Sequence, residues 1–170
     1  MTMNLQIAAA KPDDVGHIMR FIQELADYER EPDAVVATAD DLHTALFCSN
    51  PKVFCVICWE GDEAIGFALY FFNFSTWLGR HGLYLEDLYV TPARRGNGAG
   101  KKLLAHLAAI AVTQGCGRFE WSVLDWNQPA IDFYESVGAR PQSEWTTYRL
   151  TGNALRGLAK ESESLPNCGL

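Results

Sequence analysis

Three stretches of the chain combine residue types and spacing that could do chemistry. The first is Arg95-Gly96-Asn97-Gly98-Ala99-Gly100-Lys101, with glycines at alternate positions between an apolar run and a helical pattern. Glycine lets the backbone come close to a ligand with its N–H groups aimed at it. A helix opening at the same place adds unsatisfied donors and the positive end of a dipole. This assembly suits a diphosphate, so the loop points to a phosphate-bearing cofactor. Two familiar phosphate fingerprints do not fit. Against Gly-x-Gly-x-x-Gly the third glycine arrives one residue early, and no carboxylate follows a second strand to take a ribose. Gly100-Lys101 matches the end of a Walker A loop, but Arg95 stands at its first glycine and Lys102 at its hydroxyl residue.

The second stretch, Tyr84 to Val90, runs directly into that loop and carries Glu86 and Asp87. On an alternating strand Glu86 shares a face with Tyr84, Leu88 and Val90, opposite Asp87. The third stretch runs from Trp126 to Ala139. Asn127 suits a helix cap, Pro129 its first turn and Gly138 its end. Tyr134 follows Asn127 by seven residues, nearly two turns, so phenol and amide side chains face one side.

The elements that must position these residues can be read from periodicity. Leu5–Ala10 reads as a strand. A helix starts at Pro12, turns Val15, Ile18, Met19, Ile22 and Leu25 inward, and ends near Tyr28-Glu29. Arg30–Ala37 is a loop. Thr38 caps a second helix with Asp40 and Asp41 in its first turn and Leu42, Ala45 and Leu46 inward. Val53–Trp59 and Ala64–Phe72 form a hairpin around Glu60–Glu63. Asn73–Arg80 is a loop before the strand Gly82–Val90. The helix after the glycines buries Leu103, Leu104, Leu107, Ile110 and Ala111 and stops at Gly115 and Gly117. Arg118–Leu124 is a strand, the Asn127 helix follows, and a last strand lies within Glu144–Leu150. The order is β-α-α-β-β-β-α-β-α-β, a mixed α/β sheet with helices on both faces. It forms a single domain over residues 1–170, with an ordered core of about 4–159 and a polar tail from Lys160.

Composition narrows the function classes. The chain has 170 residues, 48% hydrophobic and 21% charged, which is a globular balance. A net charge of −7 disfavours nucleic acid as a partner and accommodates a small cationic substrate. No apolar run reaches the ~20 residues of a membrane span, and no basic-then-apolar leader opens the sequence. The reading is therefore no membrane partner and a cytoplasmic location. Cys48, Cys55, Cys58, Cys116 and Cys168 are odd in number and scattered, which argues against a disulfide framework. Cys55 and Cys58 sit three apart on a strand, facing opposite sides with no second ligand pair, so no metal is expected.

Arg95-x-x-Gly98-x-Gly100 after a strand resembles the coenzyme A loop of the GNAT (Gcn5-related) N-acetyltransferases. Asn127, Ala130, Tyr134 and Gly138 match that family's Asn-x-x-Ala-x-x-x-Tyr-x-x-x-Gly pattern, and the element order resembles its fold throughout. Phe21–Glu29, Gly66–Phe72, Trp77–Gly79, Tyr84–Val90, Trp126–Pro129 and Phe133-Tyr134 resemble the diamine (spermidine/spermine) N-acetyltransferases and their thialysine-acetylating relatives, from Leu5 to about Ala159. The resemblance implies acetyl-CoA as cosubstrate, a homodimer and a small cationic amine acceptor. It implies that Leu88, Tyr89 and Val90 meet the acetyl group and pantetheine through their backbone. Arg95, Gly96, Asn97, Gly98, Ala99, Gly100 and Lys101 would hold the diphosphate, and Asn127, Gln128, Pro129 and Ala130 would complete the cofactor site. Tyr134 would protonate the departing thiolate. Tyr28, Glu29 and Glu86, with Glu120, Trp121 and Ser122, would line the amine site. Only Glu135 and Glu144 are acidic between Tyr134 and Trp145, a stretch shorter than in the diamine enzymes, and Ser75-Thr76 stands where those enzymes can be acidic. The acceptor is therefore open between a polyamine and another small amine, an amino acid or a protein amine.

Acetyl transfer needs a neutral amine, and a primary amine with a pKa near ~10.4 arrives protonated. Glu86 either removes that proton, directly or through water, or only binds the substrate's charge. The cysteines lie outside the motifs, so direct attack in a ternary complex is expected. A module that binds coenzyme A without turnover is the reading from another class; intact Glu86, Asn127 and Tyr134 favour the enzyme.

Overall fold

The computed structural model describes residues 4–162, so the expectations for the last residues, Cys168 among them, lie outside the described part. The chain divides into two compact units between Ser122 and Val123. In the first unit the strands β1 (Leu5–Ala9), β2 (Phe54–Glu60), β3 (Glu63–Ser75), β4 (Arg80–Val90) and β5 (Phe119–Trp121) lie side by side in sequence order. The first three pairings are antiparallel and the last, β4 with β5, is parallel. Helices α1 (Val15–Tyr28), α2 (Ala39–Phe47) and α3 (Ala99–Thr113) belong to this unit.

Register explains which helix covers which face. Ile57 pairs with Phe67 and Phe67 with Tyr89, so their side chains project on one side of the sheet. There they meet Ile18 and Phe21 of α1 and Leu46 of α2 in one buried cluster. Phe21 stacks on Phe67 at 5.5 Å and tilts against Tyr89 at 6.2 Å. The alternate residues Val56 and Ala68 are buried on the other side, the side of α3 with its buried Leu103, Leu104 and Leu107. Cys55 belongs to the first cluster, and Cys58, three residues on, projects from the opposite face; both are buried. Phe21, whose ring is fully buried, is the centre of the α1 face, between the expected Ile18 and Leu25.

Local chemistry sets the helix starts. Thr38 Oγ1 accepts from Asp41 N at 3.2 Å while Asp41 Oδ2 accepts from Thr38 N at 2.9 Å, a reciprocal cap on α2. The hydrogen bonds from the Thr38 side chain and backbone hold the Asp41 carboxyl below its usual range. Between β3 and β4 the expected loop Asn73–Arg80 is instead a tight hairpin. Asn73 pairs with Gly82 and Ser75 with Arg80, because aromatic Phe74 and His81 stabilise the cross-strand pair, their rings 5.4 Å apart.

In the second unit, α4 (Gln128–Ser136) begins where Asn127 Oδ1 accepts from Ala130 N, and the chain turns out of it at Gly138 with φ 91°. The strand expected within Glu144–Leu150 is not formed. A strand exists only by pairing, and this short, exposed segment joins no ladder; helix α5 (Gly152–Glu161) follows it instead. Its turn of Leu155 and Leu158 carries a helical spacing beyond the last predicted element.

Candidate active site

The site residues of the first unit line up along β4. Leu69 pairs with Asp87 and Tyr70 with Leu85, so Glu86 is the extra residue of a β-bulge. The bulge corrects the simple alternation expected across this strand. Tyr84 pairs with Phe71, two residues from Leu69, and so shares the α1 face with Asp87 and Tyr89, while Leu88 and Val90 lie on the other face. Glu86 itself is exposed.

The bulge puts three carboxyl groups near one another. Asp87 is largely buried, and its pKa is pushed up to about 6 by burial first, then by the negative charges of Glu86 and Glu29. Burial also raises Glu29, which sits at the end of α1. Asp87 is the residue that sequence reasoning missed. A carboxylate at the centre of a central strand was a signal that could have found it.

Among the described residues no strand pairs with the far edge of β4 beyond Leu85, because β5 pairs with Leu83, Tyr84 and Leu85. Thr91 N donates to Ile65 O at 2.9 Å, which fixes the alternation of the ladder. Counting back, Tyr89 turns its backbone groups toward β3, and Leu88 and Val90 turn theirs toward the open edge. The Val90 carbonyl is taken there by Arg95 Nε at 2.8 Å. The N–H groups of Leu88 and Val90 face the same edge. On the paired edge, Gly66 of β3 lets the two strands approach closely: a Cβ on it would stand 2.6 Å from Tyr89 O.

The glycine loop is tied to the same region. Thr91 Oγ1 also donates to Ile65 O, and Arg94 pairs with Glu60 at 3.1 Å and Glu63 at 2.6 Å, pinning the turn before the loop to the β2–β3 hairpin. Gly96 (φ 79°) and Gly98 (φ 85°) occupy the left-handed region that other residues avoid. Gly98 is the cap of α3, and the first backbone bond into the helix runs from Lys102 N to Gly98 O. The N–H groups of Ala99, Gly100 and Lys101 therefore stand in the first turn with no carbonyl behind them. Asn97 lies exposed between the two glycines. These donors and the helix start fit a diphosphate.

Three other predicted residues are engaged within the sheet. Glu120 forms an ion pair with Arg118, whose Nε lies 2.8 Å away, and accepts from Asn73 Nδ2 at 3.2 Å, so its charge is matched locally. Ser122 Oγ hydrogen-bonds Tyr84 Oη at 2.8 Å, and Trp121 meets Phe119 edge-on at 4.9 Å. A wide cleft of about 640 Å³ lined by His17, Arg20, Glu60, Asp62, Glu63 and Ala64 contains none of the predicted residues.

The second unit carries Asn127, Gln128, Pro129, Ala130 and Tyr134. Asn127 is buried, and its side-chain oxygen caps α4 through Ala130 N at 3.4 Å. Gln128 donates to Asp132 at 2.6 Å. Tyr134 is half-buried beside Phe133, ring centres 5.4 Å apart.

Residues 18–139 match the model of the acetyltransferase (GNAT) family. The protein belongs to the GNAT family. This GNAT chain is 40% identical to thialysine N-epsilon-acetyltransferase of Sus scrofa, over 90% of its own length and 96% of the relative's. It is 32% identical to L-ornithine N5-acetyltransferase of Arabidopsis thaliana, covering 91% of the chain and 88% of that protein. Among solved structures, an integron cassette protein from the mobile metagenome of V. cholerae superposes with a TM-score of 0.77 at 33% identity, over 93% of this chain and 99% of the other. The mixed α/β fold is thus the GNAT fold, and the protein is an N-acetyltransferase. Among the described residues no helix is long and apolar enough to cross a membrane.

Proposed function

We propose that this GNAT enzyme transfers the acetyl group of acetyl-CoA to the primary amine of a small cation, a polyamine, diamine or basic amino acid of the thialysine type. Bound acetyl-CoA supplies a thioester open to attack by an amine, and transfer is direct, in a ternary complex. The observation that carries the reading is the order of groups along one strand and its loop: carboxyl groups at Glu86 and Asp87, outward N–H groups at Leu88 and Val90, then the donors of Gly96 to Lys101.

Each group has a role in this reading. The loop and the start of α3 hold the diphosphate. The N–H groups of Leu88 and Val90 polarise the acetyl carbonyl, where negative charge develops as the amine adds. Glu29, Glu86 and Asp87 draw the cation in and orient it. The amine enters protonated, and Glu86, exposed at the bulge, takes the proton directly or through water. Tyr134 protonates the departing thiolate, with Asn127 to Ala130 completing the cofactor site; this part rests on the sequence pattern of the second unit. Cys55 is not an acyl carrier: burial first, then Asp14 and Asp87, push its thiol up to about 12, which keeps it protonated. A homodimer and a cytoplasmic location belong to the same proposal.

The test is thiol release from acetyl-CoA with each amine added singly. A Tyr134→Phe variant is expected to lose roughly 10²–10⁴-fold in kcat with its acetyl-CoA affinity retained. Unchanged kcat in Tyr134→Phe would remove the phenol from the mechanism.

A further inference from the structure

Arg95 heads the glycine loop, yet its side chain turns away from the loop. Nε donates to Val90 O at 2.8 Å. The guanidinium carbon lies 4.9 Å from the ring centre of Tyr28 and 5.3 Å from that of Tyr89. Tyr28 is the last residue of α1, next to Glu29, and Tyr89 is buried on β4 two residues after Asp87. One planar cation thus joins the start of the loop, the outward carbonyl of the β4 edge and the end of α1. A guanidinium suits this task because it is flat, stacks on aromatic rings and donates in fixed directions; an ammonium does none of these.

We propose that Arg95 is a positioning residue that couples the cofactor loop to the amine end of the site, and is not itself a ligand of the diphosphate. The inference rests on the acetyl-transfer reading. Gly96 and Gly98 hold a left-handed backbone, φ 79° and 85°, that glycine adopts and leaves at little steric cost. A diphosphate held by the loop fixes Arg95 with it. Through the Tyr28 ring this steadies the end of α1 that carries Glu29, and through Val90 O it steadies the strand edge that presents the N–H groups. A cofactor that orders one end therefore tightens amine binding at the other, and the amine tightens cofactor binding by the same factor.

Calorimetric binding tests this without turnover. Spermidine and thialysine are titrated into the wild-type protein with and without saturating coenzyme A, and then into Arg95→Lys, Arg95→Gln and Tyr28→Leu, each checked for a cooperative thermal transition. In the wild type, coenzyme A is expected to tighten one of the amines by roughly 5-fold or more. In Arg95→Lys and Arg95→Gln alike that factor falls to about one, while coenzyme A alone binds within about 3-fold of wild type, the backbone N–H donors of the loop and helix start being untouched. Tyr28→Leu loses the same factor, and combining it with Arg95→Lys removes nothing more, because both break one link. If Arg95→Gln weakens coenzyme A far more than Arg95→Lys does, or if the coupling survives in both, the inference is overturned and Arg95 is an ordinary phosphate ligand or a bystander. Wild-type protein that binds coenzyme A but neither amine would instead contradict the small-amine reading itself.

Discussion

Replacing Asp87 by Asn should stabilise the protein at alkaline pH and weaken its use of the amine. In the fold the Asp87 carboxyl sits at about 6, above its ordinary value of 3.8. An acid whose pKa is raised by folding binds its proton more tightly when folded. The stability it contributes is fully present below about pH 4 and is lost as pH rises through about 6. The difference corresponds to about 3 kcal/mol at pH 8, an upper figure because part of the group meets solvent. An asparagine of the same shape carries no charge to desolvate. If its amide lacks a partner, that costs ~1–3 kcal/mol equally at every pH. The pH dependence of the difference between variant and wild type therefore isolates the charge. Thermal unfolding at pH 4, 6 and 8, followed by circular dichroism, is the assay. Asp87→Asn should gain up to roughly 6–12 °C on going from pH 4 to pH 8 relative to wild type. A difference that is flat with pH, or that moves the other way, would refute the burial argument. The same variant should raise the KM for the amine, the usual exchange of stability against function where a site keeps a carboxyl out of water.

Two further substitutions probe the scaffold. Thr38→Ala removes the reciprocal cap on α2 and should cost about 1 kcal/mol, read as a lower denaturant midpoint with an unchanged slope. Gly98→Ala places a Cβ on a residue at φ 85°. That strain, about 1–2 kcal/mol, should weaken acetyl-CoA binding by roughly tenfold, visible in the cofactor's KM.

The sequence made the glycine loop, the Asn127 cap and helices α1 to α4 readable because each depends on a residue type that local geometry demands. Gly98 reaches a left-handed φ, Thr38 and Asp41 bond each other three residues apart, and Leu103, Leu104 and Leu107 recur at helical spacing. What stayed hidden depends on partners distant in the chain. The bulge at Glu86 exists only in the register between β3 and β4, and no alternation rule reveals it. The raised Asp87 comes from burial under the folded chain first, then from the charges of Glu86 and of Glu29, which is brought from the end of α1, fifty-eight residues earlier. Glu120 reads as a free carboxylate until Arg118 and Asn73 are seen on it. The segment Glu144–Leu150 has the composition of a strand, but composition cannot supply the neighbour that a strand requires.

The central claim is acetyl transfer to a small cationic amine, and product analysis tests it most directly. Purified protein is incubated with acetyl-CoA and, one at a time, spermidine, spermine, putrescine, thialysine, lysine and simple amino acids, while free thiol and acetylated amine are measured together. The account predicts thiol release in one-to-one proportion to acetylated product for at least one diamine, polyamine or basic amino acid, with neutral amino acids inert. Measurable acetyl-CoA binding without turnover of any of these amines would contradict it.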